Sequence, residues 1–156
     1  YLDAVVTESL RIRPVIADVA RKLTVDMEIG GYHVPAGTVV APAILLIQTD
    51  GRNYPEPMAF KPERWLGQHP DPVTWLPFGG GNRRCLGAAF ATTEMRVVLK
   101  EALRRVDLAT THTKDERASI RHVTFVPSKG GVMTVAHRRS PEPSRPTKAE
   151  AIAPAG

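Results

Sequence analysis

No helix or strand can run far through residues 48–84. Prolines stand at positions 55, 57, 62, 70, 72 and 77, and glycines at 51, 67, 79, 80 and 81. Proline removes a backbone donor and fixes φ, while glycine loses the most conformational freedom on folding, so both disfavour the interior of regular elements. The stretch nevertheless holds Tyr54, Phe60, Trp65, Trp75 and Phe78, five of the chain's nine aromatic residues. A solvated linker does not need that much apolar area. Long irregular segments inside a domain are usually functional. This one is expected to be an ordered loop packed on the elements around it.

Those elements show in the periodicity. Residues 1–13 place Leu2, Val5, Val6 and Leu10 on one helical face, with Asp3, Glu8 and Arg11 around it, and Pro14 stops the helix. No N-cap residue precedes it, so the chain is expected to be cut from a longer protein. Residues 19–29 alternate with period two and predict one strand. Gly30-Gly31 marks a turn, and residues 32–40 return as a second strand around Pro35-Ala36-Gly37. Residues 41–47 are a short apolar run, strand or helix. Residues 86–106 predict the longest helix, with an apolar stripe of Ala91, Met95, Val98, Ala102 and Val106 widened by Phe90, Leu99 and Leu103. Residues 123–126 and 132–136 flank Pro127-Ser128-Lys129-Gly130-Gly131 and predict a hairpin. Residues 138–156 lack periodicity and predict a disordered tail, leaving 1–137 as the folded part.

Composition removes several function classes. No apolar run approaches the roughly 20 residues of a membrane-spanning helix. The single cysteine, Cys85, excludes an internal disulfide framework and any multi-cysteine metal site. Lysines and arginines number 21 against 16 acidic residues. That excess permits an acidic partner or an anionic cofactor without indicating nucleic acid, and no nucleic-acid partner is expected. A basic stripe of Arg96, Lys100 and Arg104 keeps a basic binding module as a rival reading, to be separated by salt-sensitive binding.

The densest chemical feature is Phe78-Gly79-Gly80-Gly81-Asn82-Arg83-Arg84-Cys85-Leu86-Gly87. Glycines let a backbone run close to a flat or bulky ligand. A helix N-terminus favours a thiolate over a thiol, and Arg83 and Arg84 act in the same sense. Three readings compete. A phosphate loop lacks the Gly-Lys-Ser/Thr ending. A cysteine nucleophile lacks a patterned histidine, since His33, His69, His112, His122 and His137 are scattered. The third is a thiolate ligand to haem iron. Separately, Arg21 lies in the apolar register of its strand, between Val19 and Leu23, and a buried arginine needs an anion.

At this loop the chain resembles the cytochrome P450 superfamily, the haem-thiolate monooxygenases. Their pattern Phe-x-x-Gly-x-Arg/His-x-Cys-x-Gly is matched by Phe78, Gly81, Arg83, Cys85 and Gly87. Their Glu-x-x-Arg is matched by Glu8 and Arg11, and their Pro-Glu-Arg-Phe, in variant form, by Pro62-Glu63-Arg64-Trp65. The resemblance spans residues 1–136 and covers the C-terminal part of the fold. It implies a mixed α and β segment of a predominantly α parent, with K-helix, small β hairpins, meander, cysteine loop and L-helix. It implies haem b, with Cys85 as iron ligand, Arg21 and Arg83 on the propionates, Phe78 beside the thiolate, and Glu8, Arg11 and Arg64 as a buried structural triad. It implies a monooxygenase acting on a small, lipophilic organic substrate, with electrons from a ferredoxin or flavoprotein reductase. The oxygen-binding helix of the family, with its acid–alcohol pair, has no counterpart here, so this chain alone is expected to be inactive. The alternative is a split-gene remnant that does not bind haem productively. Residues 47–50 depart from the family's His/Asn-Arg-Asp, a difference expected to matter little. The composition points to a bacterial, cytoplasmic protein, with membrane attachment of the parent open.

Overall fold

The structure is a computed structural model that describes residues 1–110 and 116–139. Helix α1 runs Leu2–Ile12, ended by Arg13 in a non-helical conformation ahead of Pro14. It carries Asp3 in its first turn and Arg11 in its last, both matching the helix dipole. Its buried side chains are Ala4, Val6, Glu8, Leu10, Arg11 and Ile12. Two charged residues thus lie in the covered part of the helix, which requires that they be paired.

The predicted strand over residues 19–29 is two strands. β1 (Arg21–Lys22) pairs antiparallel with β4 (Val39–Val40), and β2 (Met27–Ile29) pairs antiparallel with β3 (Tyr32–Val34). The chain bends between β1 and β2 because the Asp26 carboxylate accepts from the Ala36 amide at 2.7 Å, while Leu23 exchanges bonds with Thr38 and Gly37. Alternation alone does not reveal such a side-chain-capped corner. Gly30 and Gly31 have φ of 60° and 83°. Two successive positive φ values make the tight hairpin turn that glycine favours.

The run at 41–47 resolves into the short helix α2 (Ile44–Gln48). From there to residue 87 the only regular pieces are 3-10 turns at Pro62–Trp65 and Gly81–Arg83. Helix α3 spans Ala88–Arg105 and leads directly into β5 (Val106–Ala109). The C-terminal pairing differs from the predicted hairpin. β7 (Thr124–Pro127) pairs with β6 (Ala118–Arg121), and β8 (Thr134–Arg138) pairs with β5. The turn joining β6 and β7 has His122 at φ 58° rather than a glycine. The Pro127–Gly131 segment instead carries the chain from one two-stranded sheet to the other. Arg138 closes β8 and the Arg139 amide donates to Arg105 O at 2.8 Å; the remainder of the expected tail lies outside the described residues.

The core gathers around α1, which packs on α2, α3 and the 62–65 turn. Its apolar members are Ala4, Val6, Leu10, Ile12, Ile44, Tyr54 and Ala88. The predicted stripe of α3 is partly covered: Ala91, Met95, Leu99, Ala102 and Val106 are half-buried, Phe90, Val98 and Leu103 are exposed, and the fully covered residue of the helix is Ala88.

Candidate functional site

Glu8 is fully buried and its carboxylate accepts five hydrogen bonds. Oε2 receives Arg11 Nε at 2.8 Å and Trp65 Nε1 at 2.8 Å. Oε1 receives Arg11 Nη2 at 2.9 Å, the Lys61 amide at 2.9 Å and Arg64 Nε at 3.1 Å. Burial pushes the Glu8 carboxyl upward, but the bonds from Arg11, Lys61 and Trp65 outweigh it and hold the group at about 2. The structure therefore brings Glu8, Arg11 and Arg64 together, and adds Trp65 and the Lys61 amide.

Arg11 is equally buried and spends its other donors on backbone carbonyls, Gln48 O at 2.7 Å and Ala59 O at 3.3 Å. Its guanidinium lies 5.0 Å from the centre of the Tyr54 ring, a cation–π distance. That ring sits 5.9 Å from Trp65, and its hydroxyl donates to Thr74 Oγ1 at 3.2 Å. Arg64 reaches back to Pro55 O with both terminal nitrogens. The long irregular segment is thus wrapped around one ion-paired centre on α1. Its tryptophans act as donors as well as fillers, for Trp75 Nε1 donates to Thr7 O at 3.1 Å.

The cysteine loop follows. Phe78 is half-buried and meets Trp75 edge-on at 6.2 Å. The Cys85 amide donates to Phe78 O at 2.9 Å, and the Arg84 amide to Gly81 O at 3.1 Å. Gly79 and Gly81 hold φ of 68° and 62°, which side chains rarely adopt. Gly87 caps α3, and a Cβ there would stand 3.7 Å from Cys85 Sγ. The Cys85 side chain is exposed and free. It precedes the first residue of α3 by three positions, and its carbonyl accepts from the Ala88 amide at 3.3 Å. The loop therefore holds one sulfur by its backbone and leaves it open.

The donor set fits haem. Among the described residues no group of three or more His, Cys, Asp or Glu could hold a bare metal ion. A single exposed cysteine would suit an iron whose remaining ligands come with its cofactor, as haem iron's do. Arg83 and Arg84 are exposed and have no carboxylate partner among the described residues. Arg21 is half-buried rather than buried, and one of its terminal nitrogens donates to Ala20 O at 2.9 Å. The basic stripe on α3 is partly neutralised: Arg96 pairs with Asp3 at 2.5 Å and Arg104 with Glu101 at 3.3 Å, while Lys100 has no such partner among the described residues.

Sequence reasoning missed Gln48, Tyr54 and Trp65 as members of the buried network. The one available signal was the crowding of aromatics between prolines, which indicated packing but not hydrogen bonding.

Among the described residues no helix is long and apolar enough to cross a membrane. Comparison with known proteins finds several similar chains. Cytochrome P450 135B1 of Mycobacterium tuberculosis is 56% identical over 135 residues, covering 86% of this chain and 29% of that protein. Cytochrome P450 135A1 of the same species is 45% identical over 140 residues, covering 89% of this chain and 31% of that one. Among solved structures, a cyanobacterial CYP120A1 with retinoic acid bound superposes with a TM-score of 0.79 at 30% identity, over 89% of this chain and 32% of that one. The haem domain of cytochrome P450DA gives 0.76 at 26% identity, over 90% and 31%. The chain thus spans about a third or less of the length of these relatives. With the family model for cytochrome P450 matching residues 1–135, the chain belongs to the cytochrome P450 family, whose cofactor is haem.

Proposed function

We propose that the chain is the thiolate-bearing part of a haem monooxygenase that oxidises a small, lipophilic organic substrate. The observation that carries this is the exposed Cys85 thiol, held by backbone bonds at the junction of a glycine loop and α3. When bound, haem supplies oxygen activation, which a thiolate ligand promotes by pushing electron density toward O–O cleavage. The chain's own residues do the holding. Cys85 would ligate the iron. Gly79 and Gly81 set the loop's path, and Gly87 starts α3 beside the sulfur. Phe78 would shield the sulfur from water, and Arg83 and Arg21 would meet the carboxylates at the haem edge. Electrons would come from a ferredoxin or a flavoprotein reductase. The mycobacterial relatives support a bacterial setting, and a cytoplasmic location is part of the proposal.

On this reading the 156 residues alone do not turn over substrate. Leu86, Phe90, Val97 and Val98 are exposed, which is apolar surface that favours association or partial unfolding. The test uses the complete reading frame that contains this sequence. Its ferrous–CO complex should show the long-wavelength Soret band of thiolate ligation, and Cys85→Ala should abolish it. A variant that keeps the band overturns the assignment. Coupled oxidation by the 156 residues alone, lost in Cys85→Ala, would overturn the inactivity.

A further inference from the structure

Gln48 ends α2 and is fully buried, a state shared among the described polar and charged residues only with Glu8 and Arg11. Its side-chain amide is used at both ends. Nε2 donates to Arg11 O at 3.1 Å and to Leu10 O at 3.4 Å. These carbonyls belong to the last turn of α1, where a helix has no partners of its own. Oε1 accepts from the Leu76 amide at 2.9 Å. Carbonyls on one side and an N–H on the other leave only one orientation of the amide that satisfies both.

Leu76 is where the chain turns into the cysteine loop. Its carbonyl accepts from the Gly79 amide at 2.9 Å, and two residues on, Phe78 O accepts from the Cys85 amide at 2.9 Å. On the other side of Gln48, its own carbonyl accepts from Arg11 Nη1 at 2.7 Å, so the same residue is bound to the ion-paired centre. One buried side chain therefore joins the end of α1 to the strand of backbone that holds the sulfur.

We infer that Gln48 is a positioning residue that anchors the cysteine loop to the Glu8–Arg11–Arg64 centre and thereby sets where Cys85 stands. For the chemistry at the sulfur this rests on the haem-thiolate reading; the anchoring itself can be measured without haem. Side-chain hydrogen bonds that satisfy buried backbone groups are costly to remove, because the group left behind is desolvated and unpaired.

The experiment uses the complete reading frame in haem-free and haem-loaded form, as wild type, Gln48→Met and Thr74→Val. Met has the length of Gln without the amide. Thr74→Val removes the bond from Tyr54 on the neighbouring part of the loop and serves as the control. In the haem-free protein, amide exchange over residues 76–87 should accelerate about tenfold in Gln48→Met, with α1 and the β2–β3 hairpin unchanged and Thr74→Val close to wild type. Unchanged exchange over 76–87 overturns the inference, and so does equal acceleration over α1, which would mean general loosening. In the haem-loaded protein, the iron–sulfur stretching band should shift and broaden in Gln48→Met and not in Thr74→Val. If wild type shows no thiolate-ligated haem, the haem reading fails while the exchange result still decides the anchor. Should Gln48→Met fold poorly, Gln48→Asn keeps the amide one methylene short and gives the same comparison.

Discussion

The indole N–H of Trp65 donates to Oε2 of Glu8 at 2.8 Å. A phenylalanine at this position could fill the same space but could not make that bond. With it, the Glu8 carboxylate receives donors on both oxygens from α1, from the Lys61 backbone and from the 62–65 turn. A buried charge is tolerated when it is this fully surrounded, and becomes a liability when one donor is withdrawn. Tyr54 closes the arrangement by facing both Trp65 and the Arg11 guanidinium.

Trp65→Phe should therefore destabilise the fold by about 1.5–3 kcal/mol, the range for a hydrogen bond to a charged group. Arg11→Ala should cost about 3–5 kcal/mol, because it strands a buried carboxylate. Denaturant titration of the haem-free protein measures both. A loss in Trp65→Phe below about 0.5 kcal/mol would mean that its bond to Glu8 contributes little.

Stability should fall in acid with a defined window. The Glu8 carboxyl is held at about 2 in the fold against an ordinary 4.5. A depressed carboxyl stabilises the fold above its unfolded value, and the contribution is lost as pH drops from 4.5 toward 2. For a shift of this size it amounts to about 3 kcal/mol. Unfolding free energy measured from pH 6 to pH 2 should show that slope in wild type and lose most of it in Glu8→Gln.

Neighbouring glycines in the cysteine loop should respond differently to alanine. Gly81 has φ of 62°, where an L side chain costs about 1–2 kcal/mol. Gly80 has an extended φ of −148°, and an added Cβ would meet only the Leu76 Cδ2 methyl at 3.3 Å. Gly81→Ala should lower haem retention and stability, while Gly80→Ala stays within about 0.5 kcal/mol of wild type. Dialysis against apomyoglobin reads haem retention directly.

Charge reversal on α3 should separate Lys100 from Arg96. If the proposed electron donor is acidic and docks on this face, Lys100→Glu should slow reduction at low salt, with the difference vanishing as ionic strength rises. Arg96→Glu should instead weaken the tie between α3 and α1, since Arg96 already pairs with Asp3. Stopped-flow reduction at two salt concentrations distinguishes them.

Helices α1 and α3 were visible in the sequence because an apolar stripe at helical spacing depends on few residues and Pro14 marks a boundary by its chemistry. The cysteine loop was visible because its residues are adjacent. The pairing of β5 with β8 was not, since several short apolar strands with similar alternation compete for partners and no local rule ranks them. The role of Gln48 was hidden for another reason. Its partners are Leu10, Arg11 and Leu76, and the bonds run largely to backbone atoms that every residue carries. Arg21 shows the opposite error: its place in an alternating pattern suggested burial, but the strand is only two residues long and leaves it half-exposed.

Glu8 and Arg64 stand 56 positions apart in the chain. A ribosome adding about 5–20 residues per second releases the second roughly 3–11 s after the first. During that interval α1, 11 residues long, lacks the packing that the 62–65 turn supplies. Its Arg11 can reach Glu8, but Lys61, Arg64 and Trp65 have not yet been made. The Glu8 carboxylate therefore cannot complete its set of donors until the 62–65 turn leaves the exit tunnel. Slow translation between the codons for Ile12 and Lys61 lengthens the time for which Glu8 is without those donors.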